Sequence, residues 1–201
     1  MKIRKILALS MVVATVATAS TAALAAEITD VNNSGETTVT ANIQDSGKIS
    51  YVVTIPDKLD FGALTQPETD TDSFIDVKFE VKVTEVNNIT DDKYIFVRVK
   101  DKNATEDDSL FYLTQKTSPN TKFTYDVYPT DTMDQFAVPL NNPLNKMTDP
   151  DGYFLANFQA DGEFLVGTLR FNQKQLYGKD ISEIAGDYSG NMVFTTSIVE
   201  A

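Results

Sequence analysis

The 201-residue chain contains no cysteine, no histidine and no tryptophan. Without cysteine and histidine it has no disulfide, no thiolate or imidazole metal site and no Ser-His-Asp triad. Positive charge is also scarce: 17 Lys and Arg residues stand against 29 Asp and Glu residues, which gives a formal net charge of −12. A body this acidic repels nucleic-acid phosphates and anionic lipid surfaces. We therefore expect neither nucleic acid nor a membrane as a partner.

The first 25 residues have the anatomy of a secretory signal peptide. Three basic residues open the chain: Lys2, Arg4 and Lys5. A weakly apolar run follows over residues 6–19, and Ala23-Leu24-Ala25 is a small-x-small cleavage site. Because the apolar run is short, contains Ser and Thr, and is followed by acidic polar sequence, we predict a signal peptide over residues 1–25 and not a membrane anchor.

Cleavage before Ala26 or Glu27 removes three basic residues and no acidic ones, which changes the formal net charge from −12 to −15. No cysteine stands at the cleavage site, so we expect no lipoprotein anchor and a mature protein that is secreted or held non-covalently at the cell surface. The mature chain of about 175 residues is long enough to bury roughly 70% of its unfolded surface. It can therefore fold on its hydrophobic core without disulfides.

The mature chain divides into a polar N-terminal segment, residues 26–36, which we expect to be flexible, and a single domain over residues 37–201. Within the domain the dominant hydrophobic period is two, which predicts strands. The predicted strands cover residues 37–43, 49–55, 74–86, 93–100, 110–114, 122–128, 154–159, 163–171 and 191–199.

The run Phe74–Val86 is the clearest case of this alternation. Its predicted inward face consists of Ile75, Val77, Phe79, Val81 and Val83, and the residues between them are mostly charged. One buried face and one wet face are typical of antiparallel sheets. We predict an all-β fold: an antiparallel β-sandwich, Ig-like or jelly-roll-like, with eight or nine strands and at most one short helix.

Four further segments carry specific expectations. Ala160-Asp161-Gly162 lies between two alternating runs and predicts a hairpin. Residues 130–151 contain three prolines and no period, which predicts a long loop. Residues 180–185 have the capping spacing of one helical turn. Lys93–Lys100 is apolar on both faces, so it is either a central, doubly covered strand or a strand that presents Tyr94 and Phe96 to a partner.

Carboxylates are the only abundant groups with catalytic or metal-binding chemistry. Asp131 with Asp134, or Asp149 with Asp151, would be the candidates for an acid/base pair, but nothing singles out either pair and turn sequences use Asp to bond their own backbone. We therefore predict no catalytic residue, no cofactor and no enzymatic activity. Calcium is the candidate ligand, although no specific metal ligands are assigned. Its possible oxygen donors are Asp70, Asp72, Asp91, Asp92, Glu106 to Asp108, Asp149 and Asp151.

Two stretches resemble exported bacterial surface proteins. In Tyr51–Leu64 a strand ends at Pro56 and Leu-Asp-Phe-Gly follows, and Ala185–Val199 has a Gly-x-Tyr-x-Gly entry into an alternating final strand. Together, over about 30 of 201 residues, they are similar to β-sandwich subunits of fimbrial, spore-coat and biofilm-matrix proteins. The resemblance implies a structural or adhesive role at the cell surface, with Tyr188 as a tyrosine-corner-like residue. The chain lacks the cysteine pair of chaperone–usher pilins.

These observations favour a secreted structural or adhesive surface protein that acts as a fibre or matrix subunit. Its expected partners are further copies of itself or other extracellular surface proteins. The alternative is an extracellular module that binds a glycan or another ligand, with calcium assisting. An unpaired strand edge would favour the first function, and a sheet face with exposed Tyr or Phe the second. We also expect the uncharged strand Thr37–Ile43 to pair either within its own chain or with a neighbouring subunit.

Overall fold

The computed structural model describes residues 47–201, in which alternating sequence forms nine β-strands. The signal peptide over residues 1–25, the segment 26–36 and the strand Thr37–Ile43 lie outside the described residues. The strands are β1 (Ser50–Thr54), β2 (Phe74–Asn87), β3 (Lys93–Asp101), β4 (Phe111–Gln115), β5 (Lys122–Tyr128), β6 (Tyr153–Phe158), β7 (Phe164–Asn172), β8 (Tyr188–Ser189) and β9 (Met192–Glu200).

The strands form two sheets in which every pair is antiparallel. Six strands follow the order β1-β2-β7-β5-β4-β8, and three follow the order β6-β3-β9. The predicted all-β, antiparallel class is therefore confirmed, with nine strands in the described part of the chain. None of the helices in residues 47–201 is long and apolar enough to cross a membrane.

Strand β2 shows why the alternating pattern predicts the core. Phe79, Val81 and Val83 are buried, while Ile75 and Val77 near its start are partly exposed. The charged residues between them face solvent or are only partly covered. The predicted inward face is therefore confirmed for Phe79, Val81 and Val83, and Val77 packs against the same core, whereas Ile75 lies outside it.

Two short helical turns separate β7 from β8. The α-helix α1 (Ile181–Ile184) lies within the predicted turn, and Asp180 caps it by accepting a hydrogen bond from the Ser182 N–H at 2.8 Å. The other turn, a 3₁₀ helix over Gln173–Leu176, is capped in the same way by Asn172. The sequence did not predict this second turn, because Gln173–Leu176 is only four residues long and contains a single apolar residue, Leu176, so it shows no helical period.

The hairpin predicted at Ala160-Asp161-Gly162 is wrong. The turn itself forms, with Gly162 at a φ of +84° and a Glu163 N–H bond to the Ala160 carbonyl. However, β6 pairs with β3 in the small sheet, whereas β7 pairs with β2 and β5 in the large one. Backbone bonds from Val83 to Gly162 and Glu163 start the pairing of β7 with β2. The Asp-Gly turn therefore carries the chain from one sheet to the other.

Residues 130–151 form the long irregular connection that was predicted, yet they also extend the large sheet. Leu140 donates its N–H to the Val127 carbonyl at 2.8 Å, and the buried Asn141 side chain bonds the Val127 N–H and the Tyr125 carbonyl. Leu140 and Met147 are buried in the core. The loop thus takes the place of a strand beside the second half of β5.

Candidate functional site

The described residues contain four edge strands: β1 and β8 in the large sheet, and β6 and β9 in the small one. Strand β8 has two residues, and the pairings of β1 and β6 each contain a register shift. Strand β9 pairs with β3 over nine residues without a shift. It contains no proline, and its first charged residue is Glu200. Short length, bulges, charge and proline normally protect an edge, so β9 is the least protected of the four.

The hydrogen bonds that flank the β3–β9 ladder show which backbone groups of β9 point away from β3, toward an edge that no other strand of residues 47–201 covers. Lys102 donates its N–H to the Asn191 carbonyl, and Ala201 donates its N–H to the Asp92 carbonyl. Bonded and non-bonded pairs alternate in an antiparallel ladder. The odd-numbered residues of β9 therefore bond to β3. The N–H and C=O groups that point to the edge belong to Met192, Phe194, Thr196, Ile198 and Glu200.

The same even-numbered residues, up to Ile198, point their side chains at the core but are only partly covered. The Phe194 ring lies 6.4 Å from that of Phe79, and the Thr196 hydroxyl is 3.0 Å from the Tyr51 hydroxyl. Strand β9 therefore lies at the margin of the core. A strand added along the edge of β9 would form hydrogen bonds with the β9 backbone and would also cover the partly exposed apolar side chains of the even-numbered residues.

A groove of about 970 Å³ opens beside the start of β9. The connection after β1 forms one wall, and the residues that lead into β9 form another. Phe61 from that connection packs against Tyr125 and Phe171 of the large sheet, with ring centroids 5.8 and 5.9 Å apart. The apolar lining includes Leu59, Phe61, Leu64, Leu113, Met192 and Phe194.

Tyr188 fixes the entry to β9, as the resemblance implied. Its hydroxyl donates a hydrogen bond to the Ile184 carbonyl at 2.7 Å, and its ring packs against Phe123. A tyrosine that bonds the backbone a few residues upstream in this way is the basis of a tyrosine corner. Gly190 lies so close to the Tyr112 carbonyl that a Cβ at this position would clash with it. Both residues therefore constrain the path of the chain into β9.

The outer face of the small sheet carries aromatic side chains. Phe96 and Phe154 pack with ring centroids 5.0 Å apart, and the Arg98 guanidinium lies 5.6 Å from the Phe96 ring centroid. Arg98 forms an ion pair with Asp149 at 2.9 Å and donates a hydrogen bond to the Ser197 hydroxyl at 3.1 Å. Strand β3 is the central strand of the small sheet, and its outer face is only partly covered by the described residues. Of the two interpretations of residues 93–100, the presentation of aromatic groups fits this face better.

A shallow cleft of about 700 Å³ runs along the other edge of the small sheet, beside β6. Phe154 and Phe164 line it and are 47% and 58% exposed. The polar side chains that line it are Asn157, Asp161 and Glu163. The exposure of these two rings depends on the separation of β6 and β7 into different sheets, which the sequence analysis missed.

The candidate acid pairs do not face each other across a cleft. Asp134 accepts a hydrogen bond from the Phe136 N–H, and Asp131 accepts one from Thr132. Asp149 accepts the Asp151 N–H and pairs with Arg98. These carboxylates are thus used in turns and ion pairs, as their turn-like sequence suggested.

The predicted calcium donors are likewise spread over the surface. Asp70 lies 3.4 Å from Lys174, Asp72 accepts a bond from Asn172, and Asp108 accepts one from Tyr112. Within residues 47–201, acidic side chains do not converge in a group of three or more. Calcium binding therefore stays a prediction without a preassembled set of ligands in this part of the chain.

Sequence reasoning missed two carboxylates that are buried or partly buried between the strands, Asp101 and Asp126. Asp101 accepts the N–H groups of Asn103 and Tyr112 and so closes the β3–β4 connection. Asp126 lies in a row with Arg170 and Asp76 across β5, β7 and β2, where Arg170 binds Asp76 through two bonds of 2.7 Å. Burial raises the pKa of Asp126 above its usual range.

No family model matches this chain, and no curated protein matches it. Among solved structures it is similar to a chain described under "Chaperone-tip adhesin complex is vital for synergistic activation of CFA/I fimbriae biogenesis". The match has a TM-score of 0.47 and 14% sequence identity and covers 73% of this chain. It spans only 41% of that neighbour's length.

Proposed function

We propose that the protein is an exported structural subunit of an extracellular surface assembly, and that an extended segment of a partner subunit pairs with the edge of β9. The observation that carries this proposal is the nine-residue edge of β9, which pairs with β3 without a register shift, is uncharged up to Glu200 and contains no proline. An edge of this kind is a template for strand addition.

The binding energy would come from two sources at the same residues. The edge-facing N–H and C=O groups of β9 gain main-chain partners, each of which contributes about 0.5–1.5 kcal/mol. The half-covered side chains of Phe194 and Ile198 lose contact with water at roughly 25 cal/mol per Å² of apolar surface. Because both terms act along the whole strand, they favour an extended partner segment over a compact one.

The sequence supports an extracellular setting for this assembly. The predicted signal peptide accounts for export, and a mature charge of −15 keeps free subunits apart until specific contacts form. The resemblance of Tyr51–Leu64 and Ala185–Val199 to fimbrial, spore-coat and biofilm-matrix subunits points to the same role. The natural partner is a second copy or another protein of the same surface layer.

Proline at position 196 tests the proposal. Thr196→Pro removes an N–H that points to the edge and leaves every bond to β3 in place. Thr196→Val is the matched control, because it also removes the hydroxyl that bonds Tyr51 but keeps the N–H. Thr195→Pro is the opposite control: it removes a bond to β3 and leaves the acceptor on β3 unsatisfied, which should destabilise the fold by about 1–3 kcal/mol.

The readout is the oligomeric state of the mature protein over a range of concentrations, by light scattering after size exclusion and by electron microscopy. We expect wild type and Thr196→Val to assemble, and Thr196→Pro to need at least about tenfold more protein, which corresponds to ~1.4 kcal/mol. A wild-type protein that stays monomeric at every concentration would contradict the proposal. So would a folded Thr196→Pro variant that assembles as readily as Thr196→Val.

A further inference from the structure

The cleft beside β6 has no role in the proposed assembly of subunits through β9. The rings of Phe154 and Phe164 are exposed in it, and the polar groups of Asn157, Asp161 and Glu163 line the same cleft. Exposed aromatic groups on a soluble protein commonly mark a binding surface. Because β6 is short and its pairing with β3 has a register shift, this edge is less suited to strand addition than β9.

Neighbouring contacts hold the aromatic side of the cleft in place. Phe154 packs on Phe96, and Arg98 covers the Phe96 ring while it bonds both Asp149 and Ser197. The Glu163 carboxylate accepts the Gln159 and Ala160 N–H groups, which fixes the turn beneath the cleft. A surface held in this way loses little conformational freedom when a ligand binds.

The charge of the cleft restricts its ligand. The ten lining residues include two carboxylates and no Lys or Arg, on a protein whose net charge is already strongly negative. The nearest guanidinium, that of Arg98, is neutralised by Asp149. Anionic polymers such as uronic-acid chains, teichoic acids and nucleic acids would be repelled.

From this geometry we infer that the β6 cleft binds an uncharged polysaccharide chain. A sugar ring presents C–H groups on its faces and hydroxyl groups around its rim. The faces would stack on Phe154 and Phe164, and the hydroxyls would bond Asn157 and the carboxylates, in a site with a few polar groups among apolar ones. The site is separate from the β9 edge and goes beyond the proposed function: the subunit would adhere to a glycan through one sheet edge and assemble through the other.

The test uses the mature protein and affinity electrophoresis or pull-down with three neutral polysaccharides, cellulose, chitin and a β-1,3-glucan, and with polygalacturonate as the anionic probe. Phe154→Ala and Phe164→Ala each remove one ring. Phe74→Ala is the matched control, because Phe74 is 49% exposed, lies at the start of a strand and packs against Arg170 as Phe96 does against Arg98. All three side chains are too exposed for their loss to unfold the protein, and a thermal melt verifies this for each variant.

We expect at least one neutral polysaccharide to retain the wild type and polygalacturonate not to retain it. Each cleft variant should lose retention by about tenfold or more, while Phe74→Ala stays within about twofold of wild type and both cleft variants still assemble. The inference is overturned if none of the three neutral polysaccharides retains the wild type, or if Phe74→Ala weakens retention as much as the cleft variants do. It is also overturned if loss of Phe154 abolishes subunit assembly instead, since the face would then be a protein interface.

Discussion

Substitution of Phe79 tests the sandwich core most severely. Phe79 is 4% exposed, its ring lies 6.4 Å from that of Phe194 in the opposite sheet, and it packs directly against Gly167 on β7. Phe79→Ala removes this contact between the sheets and leaves a cavity that the surrounding strands can fill only in part. We expect a loss of about 3–5 kcal/mol in the free energy of unfolding.

The matched control is the next residue before it on the same strand. Lys78 faces solvent, and its ammonium group donates a hydrogen bond to the Asp131 carbonyl on the surface, so Lys78→Ala should cost less than about 0.5 kcal/mol. Urea denaturation followed by circular dichroism measures both variants. Small, equal effects at positions 78 and 79 would refute the assignment of faces in β2.

Gly167 supplies a second check on the same contact. A Cβ at position 167 would lie 2.6 Å from the Phe79 Cε1 atom and 2.9 Å from the Tyr128 carbonyl oxygen. Gly167→Ala should therefore cost about 1–3 kcal/mol through overpacking. Part of this cost should disappear in the Phe79→Leu background, because the ring that clashes is gone; strict additivity of the two changes would contradict direct contact.

Four other predictions follow from the chain. The exported protein should begin at Ala26 or Glu27 by N-terminal sequencing, and an intact Met1 would contradict the signal peptide. Calcium bound through the acidic loops would raise the melting temperature above that in chelator, and coincident melts would remove this hypothesis. Burial raises the pKa of Asp126 above the ordinary value of 3.8. The charged carboxylate therefore lowers the free energy of unfolding at pH values above the raised pKa, and this loss of stability is absent when the pH is below 3.8. Asp126→Asn should thus gain thermal stability over wild type at pH 7 and lose this advantage by about pH 3; an advantage independent of pH would refute this cause. If Thr37–Ile43 is the partner segment for β9, a variant lacking residues 26–43 should remain monomeric by size exclusion, and assembly equal to wild type would exclude strand donation by this segment.

Strand positions could be predicted from the sequence because one face of each strand is buried and the other is wet. Alternation marks the buried face directly, so the prediction for β2 differs from the observed strand by one residue, with its end at Val86 instead of Asn87. Strand β8 was missed for the opposite reason. Its two residues, Tyr188 and Ser189, are extended only because they pair with Thr114 and Gln115, some 75 positions earlier in the chain.

Strand order could not be predicted in the same way. Asp161-Gly162 indicates a turn, but the strand that β7 joins depends on the backbone groups of Val83, which are far away in the sequence. Similarly, the pattern of residues 191–199 predicts the faces of β9 without indicating that β9 ends a sheet. The faces and side chains of the candidate site could thus be predicted from the local sequence. Its position at the edge of a sheet could not, because that position follows from the order of the strands.

The aromatic cleft illustrates the same division. Sequence reasoning considered Tyr94 and Phe96 as a partner surface because residues 93–100 are apolar on both faces. It had no signal for Phe154 or Phe164, because aromatic residues in alternating runs are usually buried. Their exposure arises where β6 and β7 separate into different sheets.

Amide hydrogen exchange along β9 tests the central claim most directly. In the monomer, the N–H groups of Thr195 and Ser197 bond β3 and should exchange slowly, whereas those of Phe194, Thr196 and Ile198 point to the edge that no other strand of residues 47–201 covers and should exchange rapidly. If assembly occurs by strand addition at β9, the even-numbered amides should become as strongly protected as the odd-numbered ones. Assembled protein in which Phe194, Thr196 and Ile198 exchange as rapidly as in the monomer would contradict the account.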